Sequence, residues 1–224
     1  GLCRVSVPRD HRMGAIERPS IWKFEFRPDP ARHMALVDLS PLPEGSFFSL
    51  LGSSVGKSAH KEMLVFIHGF NVSFPDAVLR TAQMSYDLGF DGAPVTYSWP
   101  SRAELSPIQY HADEATVEWT VPHLESFLQA LATRTGARSV HLIAHSMGNR
   151  ALTAALERLA AKREPGAAPL FSQIVLTAPD VDAGTFADLA RDFARSADRV
   201  TLYASSGDRP LQYSRQLHGG LPRA

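Results

Sequence analysis

The chain has 224 residues, 44% hydrophobic and 21% charged, with 23 basic residues against 23 acidic ones. That composition describes one globular domain long enough to bury a sizeable core. Zero net charge excludes a global field able to hold nucleic acid or an anionic membrane, and the lone Cys3 excludes an intrachain disulfide or a thiolate metal cluster.

Residues 4–7, 21–26 and 34–38 carry strand signals, 21–26 with clean alternation, and Pro28, Pro30, Pro41 and Pro43 break these pieces apart. They predict half-exposed strands at the antiparallel edge of a mixed sheet. Residues 63–67 form a short unbroken apolar run, the pattern of a strand buried on both faces. A helix is predicted next, with Ser73 as its cap, Pro75 in its first turn and Gly89 as its stop. A strand over 94–98 and a long helix over 107–132, interrupted by Pro122, follow. The alternation continues with strands at 140–144, 174–177 and 200–203 and helices at 149–161 and 185–193. Strands alternating with helices imply a parallel sheet covered on both faces, whose chemistry sits at the carboxyl ends of the strands. No apolar run reaches the ~18 residues of a membrane span. The chain opens at Gly1 without a signal-peptide pattern, and cytosol and periplasm both stay open as compartments.

The strongest chemical motif is Ala144-His145-Ser146-Met147-Gly148. It reads as a nucleophile elbow with alanine in the first glycine position, set between a buried strand and a helix. Small residues at 144 and 148 let strand and helix approach while Ser146 is pushed out at the tip. The helix N-terminus behind it favours an anionic intermediate. The second motif, His68-Gly69-Phe70-Asn71, ends the first buried strand. An oxyanion hole needs two converging N–H donors, and Met147 and Phe70 are the candidates. His68 precedes the serine and reads as a structural hydrogen-bonding residue, while Trp99 and Phe70 suggest an apolar pocket.

These two motifs, with Tyr97-Ser98-Trp99-Pro100-Ser101 between them, resemble a bacterial α/β-hydrolase family long catalogued as a domain of unknown function. The likeness extends to Val7-Pro8-Arg9-Asp10-His11, to Ala178-Pro179-Asp180-Val181-Asp182 and to residues 201–208. It implies an α/β-hydrolase fold and serine-dependent hydrolysis of a small ester or acyl substrate, without a cofactor.

The acid has two candidates, Asp180 and Asp208, and chain order favours Asp208. Asp180 also fits a plain helix cap. Only His218 follows Asp208, ten positions on and with no strand between. The resembled family carries its histidine further downstream, in a Gly-His-Ser motif. The expectation is therefore a single domain truncated at its C-terminus, with the true base beyond residue 224 and His218 as the alternative. The rival functional reading is a hydrolase-fold binding or scaffold protein without catalysis.

Three further patterns carry no chemistry. Residues 52–58 mimic a phosphate loop but have three residues between the glycines instead of four. His141 and His145 lie on a strand and its elbow, not on one helix face, which leaves no metal site. Trp119, Leu124, Phe127, Leu128 and Leu131 read as helix core.

Overall fold

The computed structural model describes residues 1–20, 22, 24–104, 106–164, 166–204, 214–215 and 222–223, with Asp192 described by its backbone only. Two antiparallel strands, β1 (Leu2–Ser6) and β2 (Ala35–Ser40), open the chain and form a sheet of their own. The parallel sheet contains β3 (Glu62–Ile67), β4 (Ala93–Tyr97), β5 (Ser139–His145), β6 (Phe171–Thr177) and β7 (Ala197–Tyr203) in the order β4-β3-β5-β6-β7. Among the described residues, the helices α1 (Glu44–Lys57), α2 (Phe74–Asp87), α3 (Pro107–Arg134), α4 (Gly148–Ala161) and α5 (Ala183–Phe193) connect and cover the strands.

The core explains these elements. Val65, Ile67, Leu142, Ala144, Ile174 and Leu176 are all buried in the three central strands. Leu124, Leu128 and Leu131 of α3 and Ala151, Leu152, Ala155 and Leu156 of α4 pack against them at helical spacing. Trp119 departs from the expected core stripe: it is 61% exposed and packs on His123 at 4.4 Å between ring centroids. Pro122 lies inside α3 without ending it, contrary to the expected interruption. The glycine-rich run at 52–58, which resembles a phosphate loop, falls mostly in α1, where Phe48, Leu51 and Val55 make the buried stripe.

The sheet order places the chemistry. From β3 the chain crosses to β4 on one side, then returns to β5 on the other and continues outward to β6 and β7. The switch point therefore lies between β3 and β5, the crevice where open parallel sheets bind ligands. Ile67 pairs with Ala144 across that crevice, so the two predicted motifs leave the sheet side by side.

Among the described residues of the expected strand over 21–26, Trp22 and residues 24–26 are not in a strand. Phe24 has φ +57°, and Glu25 turns inward to hold the Ser20 N–H and the His33 ring, which overrides the alternation. Upstream, His11 fastens the N-terminal segment to α2. Its Nδ1 lies 2.9 Å from Glu17 Oε2 and its Nε2 2.8 Å from Asp87 Oδ1. Only an imidazolium donates to both carboxylates at once. The Glu17 hydrogen bond, assisted by Asp87, raises the His11 pKa against the opposing effect of burial. A raised folded-state pKa stabilises the fold below the ordinary histidine range, and that contribution disappears as pH rises through the folded value. Both carboxylates titrate lower than usual, so the clamp also fails in acid. Hydrogen exchange at the Gly14 N–H, held by Asp87 Oδ2 at 2.6 Å, is expected to accelerate beyond the intrinsic base dependence above neutral pH. His11→Ala should remove that excess.

Candidate active site at the β5–α4 elbow

Ser146 sits between β5 and α4 with φ +50°, a left-handed conformation that non-glycine residues adopt only under constraint. The constraint is a set of main-chain hydrogen bonds. Its N–H donates to Thr177 O at 3.0 Å, and its carbonyl accepts from the backbone N–H groups of Asn149 and Asp180. The buried Asn149 side chain adds two more, donating to Ser146 O at 2.9 Å and to Thr177 O at 3.1 Å. Residue 146 is half-buried, and among the described residues its hydroxyl makes no hydrogen bond.

Close packing brings the two motifs together. A Cβ on Gly69 would lie 2.9 Å from both His145 O and Ser146 Cβ. One on Gly148 would lie 2.4 Å from His68 O and 2.9 Å from Ile67 O. Both glycines are required because backbone meets backbone there. The N–H groups of Phe70 and Met147 adjoin this contact, and among the described residues neither donates to any acceptor. Met147 is fully buried and Phe70 half-buried, packed edge-on against Tyr110 at 5.1 Å.

His68 and Trp99 hold the first loop in place. His68 is fully buried, stacked on Trp99 at 5.1 Å, and Trp99 Nε1 donates to His68 O at 2.7 Å. His68 Nδ1 faces Gly69 O at 2.9 Å, so it carries the proton, and Nε2 accepts from Ser98 Oγ at 3.1 Å. Burial pushes its imidazole below the usual histidine range, which keeps it neutral. Trp99 lines a cavity of about 1470 Å³ between β1, α1, α2, α3 and the edge of β4, whose lining excludes His68, Ser146, Phe70 and Met147.

Of the two acid candidates, Asp208 lies outside the described residues, as does His218. Asp180 is buried beside the elbow, and its carboxylate is fully engaged. It accepts from Tyr110 Oη and from Ser214 Oγ at 2.5 Å, and pairs with Arg150 Nη2 at 3.3 Å and Arg223 Nε at 3.4 Å. The helix cap is Asp182, which accepts the Thr185 N–H at 2.9 Å. Among the described residues no histidine reaches Ser146 Oγ, and no group of three metal-ligating side chains occurs.

Sequence reasoning missed Asn149, Tyr110 and Arg150. Arg150 joins three elements: Nε donates to Asp180 O at 2.6 Å, Nη1 to Glu114 Oε1 at 2.5 Å and Nη2 to Tyr110 Oη at 3.0 Å. Burial opposes its charge, but Asp180, Tyr110 and Glu114 outweigh that and hold it protonated. Burial also raises the Tyr110 pKa, so its hydroxyl stays a donor to Asp180. One signal was available: a cation in the first turn of α4 opposes the helix dipole and needs a buried partner to hold it. Arg150→Met is expected to cost about 2–4 kcal/mol in urea unfolding, below the maximum for severing a buried pair because Tyr110, Ser214 and Arg223 still serve Asp180. A loss under 1 kcal/mol would show the cluster to be solvated.

Residues 43–224 match the family model described as "Alpha/beta hydrolase of unknown function (DUF900)". A protein of Nostoc sp. (strain PCC 7120), itself described as uncharacterized, is 23% identical over 185 residues. That alignment covers 69% of this chain and 47% of the relative, so the chain spans about half the length of the relative it matches. The five-stranded parallel sheet, the strained serine between β5 and α4 and the family match agree: the chain belongs to the DUF900 family of α/β-hydrolases.

Proposed function

We propose that the protein hydrolyses carboxylic esters or related acyl compounds through an acyl-enzyme on Ser146. The observation that carries this reading is the left-handed Ser146, its hydroxyl unbonded among the described residues, beside two unspent N–H donors. A strained turn that presents a hydroxyl while leaving adjacent amides unpaired has an energetic cost that catalysis explains. In this reading Ser146 Oγ attacks the ester carbonyl, and the carbonyl oxygen takes the negative charge. Phe70 and Met147 N–H groups receive that oxyanion, with the N-terminus of α4 behind them. The alcohol leaves with a proton, and water then attacks the acyl-enzyme to release the acid and regenerate the serine.

Asp208 is the acid of this mechanism, because it follows β7 and the Asp180 carboxylate is already taken by four partners. Asp180 is a scaffold for the elbow: its N–H holds Ser146 O at 3.3 Å, and its side chain ties α3 and α4 to the β6–α5 loop. The test is active-site labelling of the full-length protein with a fluorophosphonate, followed by peptide mapping. The adduct is expected on the peptide containing Ser146. An adduct on another serine, or none at all, would remove the assignment and favour a hydrolase fold used for binding.

A further inference from the structure

The loop over residues 18–33 inverts the usual relation between polarity and burial. It leaves and returns at one point, where the Met34 N–H donates to Glu17 O at 3.0 Å. Within it Trp22, Phe24 and Phe26 are 89%, 82% and 77% exposed. The charged Glu25 between them is turned inward, its side chain only 7% exposed. Glu25 accepts the Ser20 N–H, faces His33 Nε2 at 3.1 Å and pairs with Arg32 at 2.5 Å, while His33 Nδ1 accepts the Asp29 N–H. The acid is therefore the anchor, and three aromatic rings are held in water on a braced loop. Isolated apolar side chains on a surface are ordinary, but three aromatics within five residues of one loop, each more than three-quarters exposed, call for a partner.

Its position relates the patch to Ser146. The segment runs along α2 from Gly14, whose N–H donates to Asp87 near the C-terminus of that helix, to Arg18, which pairs with Asp76 at 2.6 Å in its first turn. The start of α2 follows the β3 loop that carries Phe70, so the loop is rooted at the carboxyl end of the sheet, the end that carries Ser146. Charge identifies the partner. The loop contains four basic residues and two acidic ones in a chain of zero net charge, so the loop is positive and the remainder negative. Arg12 and Arg27 are exposed and have no ion-pair partner among the described residues. Tryptophan and phenylalanine on a loop where Arg27 directly follows Phe26 suit the boundary between lipid headgroups and acyl chains. A second copy docked loop to loop would oppose like charges.

We propose that the aromatic loop over residues 18–33 docks the protein on an anionic lipid surface and presents the Ser146 site to acyl esters residing there. The substrate class rests on the esterase reading, whereas the docking does not. Absence of a global field does not oppose it, since headgroup attraction acts within a Debye length and senses the local loop.

The experiment measures co-sedimentation of the full-length protein with vesicles of phosphatidylglycerol and phosphatidylcholine in equal parts, and with phosphatidylcholine alone. Turnover of p-nitrophenyl acetate in solution and of p-nitrophenyl palmitate in the vesicles is followed alongside. Binding is expected to prefer the anionic vesicles and to fall on the order of 100-fold in a Trp22→Ser/Phe24→Ser/Phe26→Ser triple variant. That variant should keep its melting temperature and its turnover of the soluble ester. Arg27→Glu should reduce the preference for anionic vesicles while leaving folding intact. No binding by the wild type, or binding that survives the triple substitution, would overturn the proposal. So would a dimer that the triple variant converts to monomers, which would make the patch a subunit contact. Loop-dependent binding without hydrolysis of either ester would remove the esterase reading and leave the docking in place.

Discussion

Ser146→Ala is expected to lower kcat/KM for p-nitrophenyl esters by on the order of 10⁴–10⁶-fold in the full-length protein, with stability unchanged within about 0.5 kcal/mol. The two halves of that expectation rest on different observations. The kinetic half follows from the acyl-enzyme route, in which no other hydroxyl occupies the β5–α4 turn. The stability half follows from the geometry. Ser146 is held by its main chain, through Thr177 O, Asn149 and Asp180, and its Oγ makes no hydrogen bond among the described residues. Alanine meets the same left-handed strain as serine and loses only the hydroxyl. Steady-state kinetics together with thermal unfolding check both halves. Full turnover in the variant would place the chemistry on another residue, and a large drop in melting temperature would make Ser146 a structural serine.

Gly148→Ala is expected to damage folding and activity together. The added Cβ would sit 2.4 Å from His68 O and 2.9 Å from Ile67 O, and both obstacles are backbone that cannot rotate away. Relief requires α4 to withdraw from β3 or the His68 loop to move. The loop is held by the Trp99 Nε1 bond to His68 O, so it resists. Overpacking of this kind costs roughly 1–3 kcal/mol. A displacement approaching 1 Å between Ser146 and the Phe70 N–H would cost on the order of 100-fold in turnover. Urea unfolding and p-nitrophenyl acetate hydrolysis measure the two effects. A variant that unfolds normally and works normally would show that the contact between the elbow and the β3 loop is looser than described. Gly136 gives the control: a Cβ there meets nothing within 4 Å, though φ is +70°. Gly136→Ala should lose stability through that strained φ while keeping its activity.

Hydrophobic patterning determined the parallel α/β architecture and the two motifs, because both are local. Residues 63–67 are a continuous apolar run, and a strand buried on both faces follows from such a run without knowledge of its neighbours. The serine elbow is likewise a short-range device, built by Ala144 and Gly148 around Ser146 and visible as spacing. Patterning failed where a distant group outweighed it. Residues 21–26 alternate as a strand would, yet Glu25 turns inward to Ser20, His33 and Arg32 while Trp22, Phe24 and Phe26 face outward. The stripe over 48–55 was hidden by glycines and serines that pass as loop until α3 covers it. Asp180 looked like a cap or a catalytic acid because its partners are distant in the chain: Tyr110 lies 70 residues before it and Arg150 also precedes it, while Ser214 and Arg223 follow it. Local sequence sets what a segment prefers. Only the tertiary structure decides which buried charge meets which partner, because that energy depends on contacts across the chain and on the exclusion of water between them.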